Sequence, residues 1–211
     1  MEQLSLDSNY EHCLFEACAV LSQGDVILYP TDTLYGLGAD AFSDNAVDQI
    51  YAIKSRDRRK PIHMVCSDIV MIETYVEVNS IAKKLIERFL PGALTLVLKK
   101  RDGFDSGIGR NMQTLGVRIP NNLFCIQLAE RFGKPFTTTS ANVSGANSRL
   151  SVTEIISQLG LSAQNIRVVI DAGSVKQSTA STVIDLSSGE LRLFREGAIS
   201  MGEITSFLEE A

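Results

Sequence analysis

Short apolar runs alternate with helix-periodic segments along this chain, and few architectures accept that alternation. VILYP (26–30), IHMVC (62–66), ALTLVLK (93–99), LGVRI (115–119), FTTTS (136–140), RVVID (167–171), STVIDL (181–186) and LRLFR (191–195) read as strands. Between them lie segments with helix start and stop signals. Asn9 caps a helix through Ser22 that ends at Gly24, and Ser43 caps a second in which Val47, Ile50, Tyr51 and Lys54 keep helical spacing. Asn79 to Phe89 stops at Pro91-Gly92, and Asn122 to Phe132 stops at Gly133. Ser151-x-x-Glu154 and Ser200-x-x-Glu203 fit capping boxes, in which hydroxyl and carboxylate each satisfy an orphan amide. About eight strands among five or six helices predict a mixed parallel/antiparallel α/β sheet with flanking helices. The short turns between the last strands predict antiparallel pairing there.

At 211 residues the chain reads as one domain, with a core over about 10–197 and a closing helix over about 200–210. No apolar run approaches the ~18 residues of a membrane span. The opening MEQLSLDSNYEHC has neither a basic start nor an apolar signal core, so a cytoplasmic setting is expected. Cys13, Cys18, Cys66 and Cys125 sit in apolar surroundings without a CxxC pair, which predicts reduced, buried thiols rather than a zinc site.

The charge distribution raises a question. The chain is acidic, with a net charge of -5, yet KSRDRRKPIH (54–63) crowds in Lys54, Arg56, Arg58, Arg59 and Lys60. Pro61 forces Lys60 into extended backbone, so the cations occupy a loop between a helix and a strand. A solvated basic loop is the bland reading. Against it stands like-charge repulsion that an anionic partner would relieve, and Arg and Lys suit phosphate oxygens. GxxxxGK[ST] is absent, so a nucleotide would be bound by another design.

Three further stretches are rich in neutral donors. YPTDTLYGLGADA (29–41) places Thr31, Asp32 and Thr33 at a strand's carboxyl end, where α/β proteins put ligands, although Thr and Asp there also make plain turns. Gly36 and Gly38 allow a tight turn or close approach of a ligand. TTTSANVSGANSRL (137–150) offers hydroxyls and amides that cradle phosphate oxygens or make a surface turn. In TLGVRIP (114–120), Arg118 shares a strand face with Gly116, opposite Leu115, Val117 and Ile119; that is a wet face or a carboxylate clamp. Ser181 and Arg195 close two later strands. His63 reads as a sheet-packing residue and His12 as a surface one. No Ser-His-Asp or His/Cys/carboxylate pattern is present.

Six stretches in one order, YPTDTLYGLGADA, KSR with Lys60-Pro61, TLGVRIP, TSANVSG, STVIDL and FREG, resemble the YrdC-type threonylcarbamoyl-AMP synthases of tRNA modification. The likeness runs from about Val26 to Gly197. It implies a twisted YrdC-like sheet with a concave, partly basic surface. It also implies the reaction of L-threonine, bicarbonate (or CO2) and ATP to threonylcarbamoyl-AMP and pyrophosphate, with Mg²⁺ carried by ATP. By position, the resemblance assigns Thr33, Arg118, Thr138 and Ser181 to threonine. Lys54 and Arg56 become the catalytic cations, and Arg56, Lys60, Thr114, Ser140, Asn142, Ser148 and Arg195 contact ATP. Keeping both Lys54/Arg56 and Ser140/Asn142 resembles the synthase branch, in a short form. Arg58 and Arg59 receive no role. A tRNA or double-stranded RNA contact and a downstream threonylcarbamoyl-transfer complex are implied partners, and no membrane. The rival reading is a non-catalytic RNA-binding module, which leaves Thr33, Arg118 and Ser181 without a purpose.

Overall fold

The structure, a computed structural model, describes residues 1–175 and 179–210. Its strands are β1 (Glu2–Ser5), β2 (Val26–Tyr29), β3 (Gly36–Gly38), β4 (His63–Val65), β5 (Leu94–Lys99), β6 (Thr114–Arg118), β7 (Phe136–Ser140), β8 (Ile166–Asp171), β9 (Thr182–Asp185) and β10 (Arg192–Arg195). They form one sheet in the order β1-β8-β2-β3-β7-β4-β6-β5-β9-β10. The helices are α1 (Tyr10–Ser22), α2 (Asp44–Lys54), α3 (Ile69–Tyr75), α4 (Ser80–Phe89), α5 (Leu123–Phe132), α6 (Val152–Leu159) and α7 (Met201–Glu210). The mixed sheet with flanking helices is the architecture the alternating sequence calls for.

The predicted caps form. Asn9, Ser43, Asn79, Asn122 and Ser151 each accept from the backbone amide three residues on. Gly133 closes α5 in the left-handed conformation at φ 73°, where glycine has no Cβ to clash. Strand period two then sorts side chains between layers. Along β2, Val26 and Leu28 join one apolar cluster, while Ile27 and Tyr29 join another. The larger cluster packs α2, α4, α6 and α7 against one face of the sheet. The smaller packs α1 and α5 against the other face, and draws its strand residues from β2, β4, β7 and β8.

That second layer is short, and its shortness positions the site. None of β5, β6, β9 or β10 contributes to the smaller cluster. Past β4, strand positions that point to this face have no described helix to pack on. Beside Val97 and Val183 they carry Thr95, Gly116 and Arg118, and Ser181 stands just before β9.

Three elements escape the sequence reading, and one pairing corrects it. β1 lies parallel to β8 at the sheet edge, and α3 is capped by Asp68. β3 is the GLG stretch read as a turn; it pairs antiparallel with β2 and β7. Its glycines are needed for packing, since a Cβ on Gly38 would stand 2.9 Å from the Tyr29 ring. The last strands are not an antiparallel run. β8 lies parallel between β1 and β2, β9 lies parallel to β5, and only β9 with β10 is antiparallel. Short connections made β8 and β9 look like neighbours, yet they sit in opposite halves of the sheet.

Candidate active site

The bare half-face forms the floor of an open cleft with about 600 Å³ of empty space, solvent at its mouth included. Seven of the residues that the resemblance assigns to ligands line it: Thr33, Arg56, Arg118, Thr138, Ser140, Ser181 and Arg195. They come from positions spread over most of the chain and meet because β6, β7, β9 and β10 end around one opening.

Arg118 is the most constrained of them. Only 4% exposed, it donates through Nη2 to Asp32 Oδ1 at 2.8 Å and to Gly92 O at 2.9 Å, and through Nη1 to Thr33 Oγ1 at 3.3 Å. Its Nε is buried with no partner. A buried donor left unmade is costly, so this guanidinium has unspent hydrogen-bonding capacity. The wet-face reading of Arg118 is thereby corrected: it is in the wall of the cleft, beside a carboxylate. The turn reading of the neighbouring segment holds for Thr31, whose Oγ1 accepts from Thr33 N and Leu34 N at 3.1 Å. That local turn leaves the Thr33 hydroxyl facing Arg118.

Two other arginines carry no carboxylate partner among the described residues. Arg56 follows Ser55, the left-handed residue that ends α2 at φ 48°, and donates to Lys60 O and Pro61 O at 3.2 and 3.0 Å. Arg195 donates to Ser181 O through Nε and Nη2, at 3.1 and 2.9 Å, and to Ser181 Oγ at 3.2 Å. Ser181 Oγ in turn shares a hydrogen bond with Thr95 Oγ1 at 2.9 Å. Partial burial and the neighbouring Arg118 and Arg56 charges lower the Arg195 pKa. Arg56, Arg118 and Arg195 thus concentrate positive potential in one cleft of an acidic protein.

The remaining basic residues of KSRDRRK go elsewhere. Arg58 is paired with Asp48 and lies over the Tyr51 ring, while Arg59 is paired with Asp57 at 2.6 Å. Repulsion in this loop therefore does not require an anionic ligand, as the sequence reading supposed; two carboxylates already relieve it. Lys60 is exposed, and its carbonyl is an acceptor for Arg56. Lys54 is buried and donates to Ser140 O, Asn142 O and Asn142 Oδ1. Burial, then the Arg56 charge, pushes its pKa down to about 7, while three oxygen acceptors favour the proton. Neither Lys54 nor Lys60, Thr114, Asn142 or Ser148 lines the cleft. Thr114 shares the face of Gly116 and Arg118 at the far end of β6, and Ser148 is in the partly exposed loop beyond β7.

His63, Thr95 and Tyr35 are among the lining residues that the sequence reading left without a ligand role. His63 sits in β4, as expected, but it also faces the cleft over Gly116, where a Cβ would stand 2.8 Å from its Cγ. Burial first, then the charges of Arg195, Arg56 and Arg118, lower its pKa to about 4. Thr95 is the polar interruption of ALTLVLK, a signal visible in the strand itself. Tyr35 lines the cleft and donates its hydroxyl to Gly173 O at 2.7 Å. His12 is exposed near Glu16, as expected. All four cysteines are free; Cys13, Cys66 and Cys125 are buried, and burial raises each of these thiols. Among the described residues no three His, Cys, Asp or Glu side chains gather as metal ligands, and Asp32 is committed to Arg118.

Arginines and hydroxyls on the bare half of a mixed sheet define an α/β protein with a basic, hydroxyl-lined cleft. A family model, Sua5_yciO_yrdC with the description Telomere recombination, matches residues 19–197, and the chain belongs to the Sua5/YciO/YrdC family. A Methanocaldococcus jannaschii relative is 38% identical over 181 residues, 86% of this chain and 84% of its own. The threonylcarbamoyl-AMP synthase of Mus musculus is 33% identical over 210 residues, 96% of this chain and 73% of the mouse protein. Among solved structures, P. abyssi Sua5 complexed with L-threonine matches with a TM-score of 0.89 at 30% identity, over 99% of this chain and 61% of that chain. This chain therefore spans about three fifths of the P. abyssi protein. E. coli YciO matches with a TM-score of 0.83 at 27% identity, over 96% of this chain and 98% of that one.

Proposed function

We propose that this protein makes threonylcarbamoyl-AMP from L-threonine, bicarbonate or CO2, and ATP, releasing pyrophosphate. The observation that carries this is the pairing, in one cleft, of two arginines without carboxylate partners and a buried arginine with an idle Nε. A phosphorylated substrate and an amino-acid carboxylate are the anions that such a cleft suits. Relatives named threonylcarbamoyl-AMP synthase, and one structure holding L-threonine, support the same reading.

In this reading Arg118 takes the threonine carboxylate through donors not spent on Asp32, and Thr33, Thr138 and Ser181 surround the rest of the amino acid. The neutral His63 imidazole adds a ring nitrogen without adding charge. Arg56, Ser140 and Arg195, all in the cleft lining, meet the triphosphate. Lys60, Thr114, Asn142 and Ser148, which stand outside the cleft lining, are the further nucleotide contacts of this reading. A carbamate oxygen of N-carboxythreonine attacks the α-phosphorus; the new O–P bond forms as the bond to the bridging oxygen breaks and pyrophosphate leaves. The carbamate is itself the nucleophile, so the protein's task is alignment and charge neutralisation. Mg²⁺, bound to the phosphate oxygens, would supply further charge neutralisation. The reaction belongs to tRNA modification in the cytoplasm, where a separate complex transfers the threonylcarbamoyl group; any tRNA contact of this chain would use its outer surface.

The test is pyrophosphate release from ATP and Mg²⁺. Release that requires both L-threonine and bicarbonate supports the synthase. No release from folded protein, with RNA bound in a salt-sensitive, threonine-independent way, would favour the RNA-binding module instead.

A further inference from the structure

The last turn of α2 holds a cation that the cleft lining does not include. Lys54 is 1% exposed, and its ammonium donates to Asn142 O and Asn142 Oδ1 at 2.9 Å each and to Ser140 O. An ammonium has three donors, and here three oxygens take them. The main chain of the same residue reaches the same segment, since Lys54 O accepts from Ser144 N at 2.9 Å. The segment is braced internally as well: Ser140 Oγ donates to Asn142 Oδ1 at 2.6 Å, and Asn142 N donates to Ser140 O at 3.0 Å. Helix α2 and the loop after β7 are thus fastened by one residue at two points. The cost of burying a lysine here is offset only while those oxygens stay in place.

Arg56, two residues further, has the opposite disposition. Its guanidinium lines the cleft with backbone acceptors on one side, whereas Lys54 points into the protein. Resting on the synthase reading, we propose that Lys54 is a positioning residue: its ammonium holds the Ser140–Ser144 segment in the register that ATP meets, and makes no phosphate contact. The KSR and TSAN stretches are then one device, in which the lysine sets the loop and the arginine meets the ligand.

The unsubstituted protein gives the first test and needs no turnover. With isotope-labelled lysine, at a pH well below the Lys54 pKa of about 7, the Lys54 ammonium protons should exchange slowly with water, unlike those of exposed Lys60. Exchange as fast as at Lys60 overturns the tether. Adding Mg²⁺ and a non-hydrolysable ATP analogue should leave phosphorus coupling absent from the Lys54 ammonium; such coupling overturns the proposal.

Lys54→Met should raise the ATP KM about tenfold or more and leave the threonine KM within about twofold. A general loosening of the fold would raise both, and that result counts against positioning. In an Asn142→Ala background the same substitution should cost clearly less, because the tether has already lost an anchor; equal costs in both backgrounds overturn the proposal. If Lys54→Met fails to fold, Lys54→Arg is carried through the same cycle. Absence of pyrophosphate release from the unsubstituted protein would instead refute the synthase reading, and the ammonium exchange still decides the tether.

Discussion

Arg118 and Asp32 form an ion pair inside the cleft wall, with Nη2 at 2.8 and 3.1 Å from the two carboxylate oxygens. Asp32 also accepts from Asn121 N at 3.1 Å, so the carboxylate joins the turn after β2 to the end of β6. The pair holds the guanidinium plane fixed while its Nε stays idle. Asp32→Ala would leave a buried cation without its partner, a change that costs about 3–5 kcal/mol when such pairs are broken. Chemical denaturation should show a loss of that order; a loss within experimental error would mean Arg118 finds another partner.

Arg118→Ala should raise the threonine KM far more than the ATP KM, because in the proposed reading its guanidinium holds the threonine carboxylate, with Thr33 and Ser181 in the same cleft lining. Steady-state kinetics with each substrate varied in turn checks this. Equal effects on both constants would remove the carboxylate assignment.

Substituting Arg56 should weaken ATP use with little loss of stability, since its partners are backbone carbonyls of its own loop. Arg58→Ala and Arg59→Ala provide the contrast. Their guanidiniums are engaged by Asp48 and Asp57 at the surface, where water screens an ion pair and leaves it little weight in stability. Both should keep the ATP KM of the unsubstituted protein, measured side by side with Arg56→Ala.

The His63 imidazole should stay neutral through the physiological range. Its pKa of about 4 in the fold lies below the ordinary 6.5, so the unfolded chain binds the proton first as pH falls. Stability is then full above about 6.5 and declines between 6.5 and 4. Imidazole resonances followed by NMR should titrate near 4, and a midpoint near 6.5 would show that neither burial nor the arginines bear on it.

Gly116→Ala should push His63 out of place, for the new methyl would stand within contact distance of the ring. Overpacking of this kind costs about 1–3 kcal/mol. Combining it with His63→Ala should restore part of the lost thermal midpoint, and an unimproved double variant would locate the strain elsewhere.

Strand and helix positions were legible wherever period and caps agreed: β2, β4 and β5 lie inside the apolar runs, and Asn9, Ser43, Asn79, Asn122 and Ser151 cap as their chemistry dictates. What stayed hidden is non-local. β3 is three residues of GLG whose glycines serve the Tyr29 ring, and nothing local marks them as strand. The separation of β8 from β9 depends on partners 88 to 166 positions away in the chain, β5 for one and β1 and β2 for the other. The site was readable as a set of hydroxyls and arginines because such residues interrupt otherwise apolar strands. Their division of labour was not, because Lys54 and Arg56 differ only in which way the end of α2 turns them, and the left-handed Ser55 between them is a single backbone choice.

The parallel pairing of β5 with β9 joins residues 94–97 to 182–185. Ser181 and Arg195 reach the cleft only through that closure, while Thr33, Arg56 and Arg118 belong to earlier parts of the chain. During synthesis the ligand-binding wall is thus the last part of the sheet to be completed, after most of the apolar core has had its partners available. A chain emerging from the ribosome would acquire a collapsed interior well before it could hold a substrate, so ligand protection marks molecules that have finished folding.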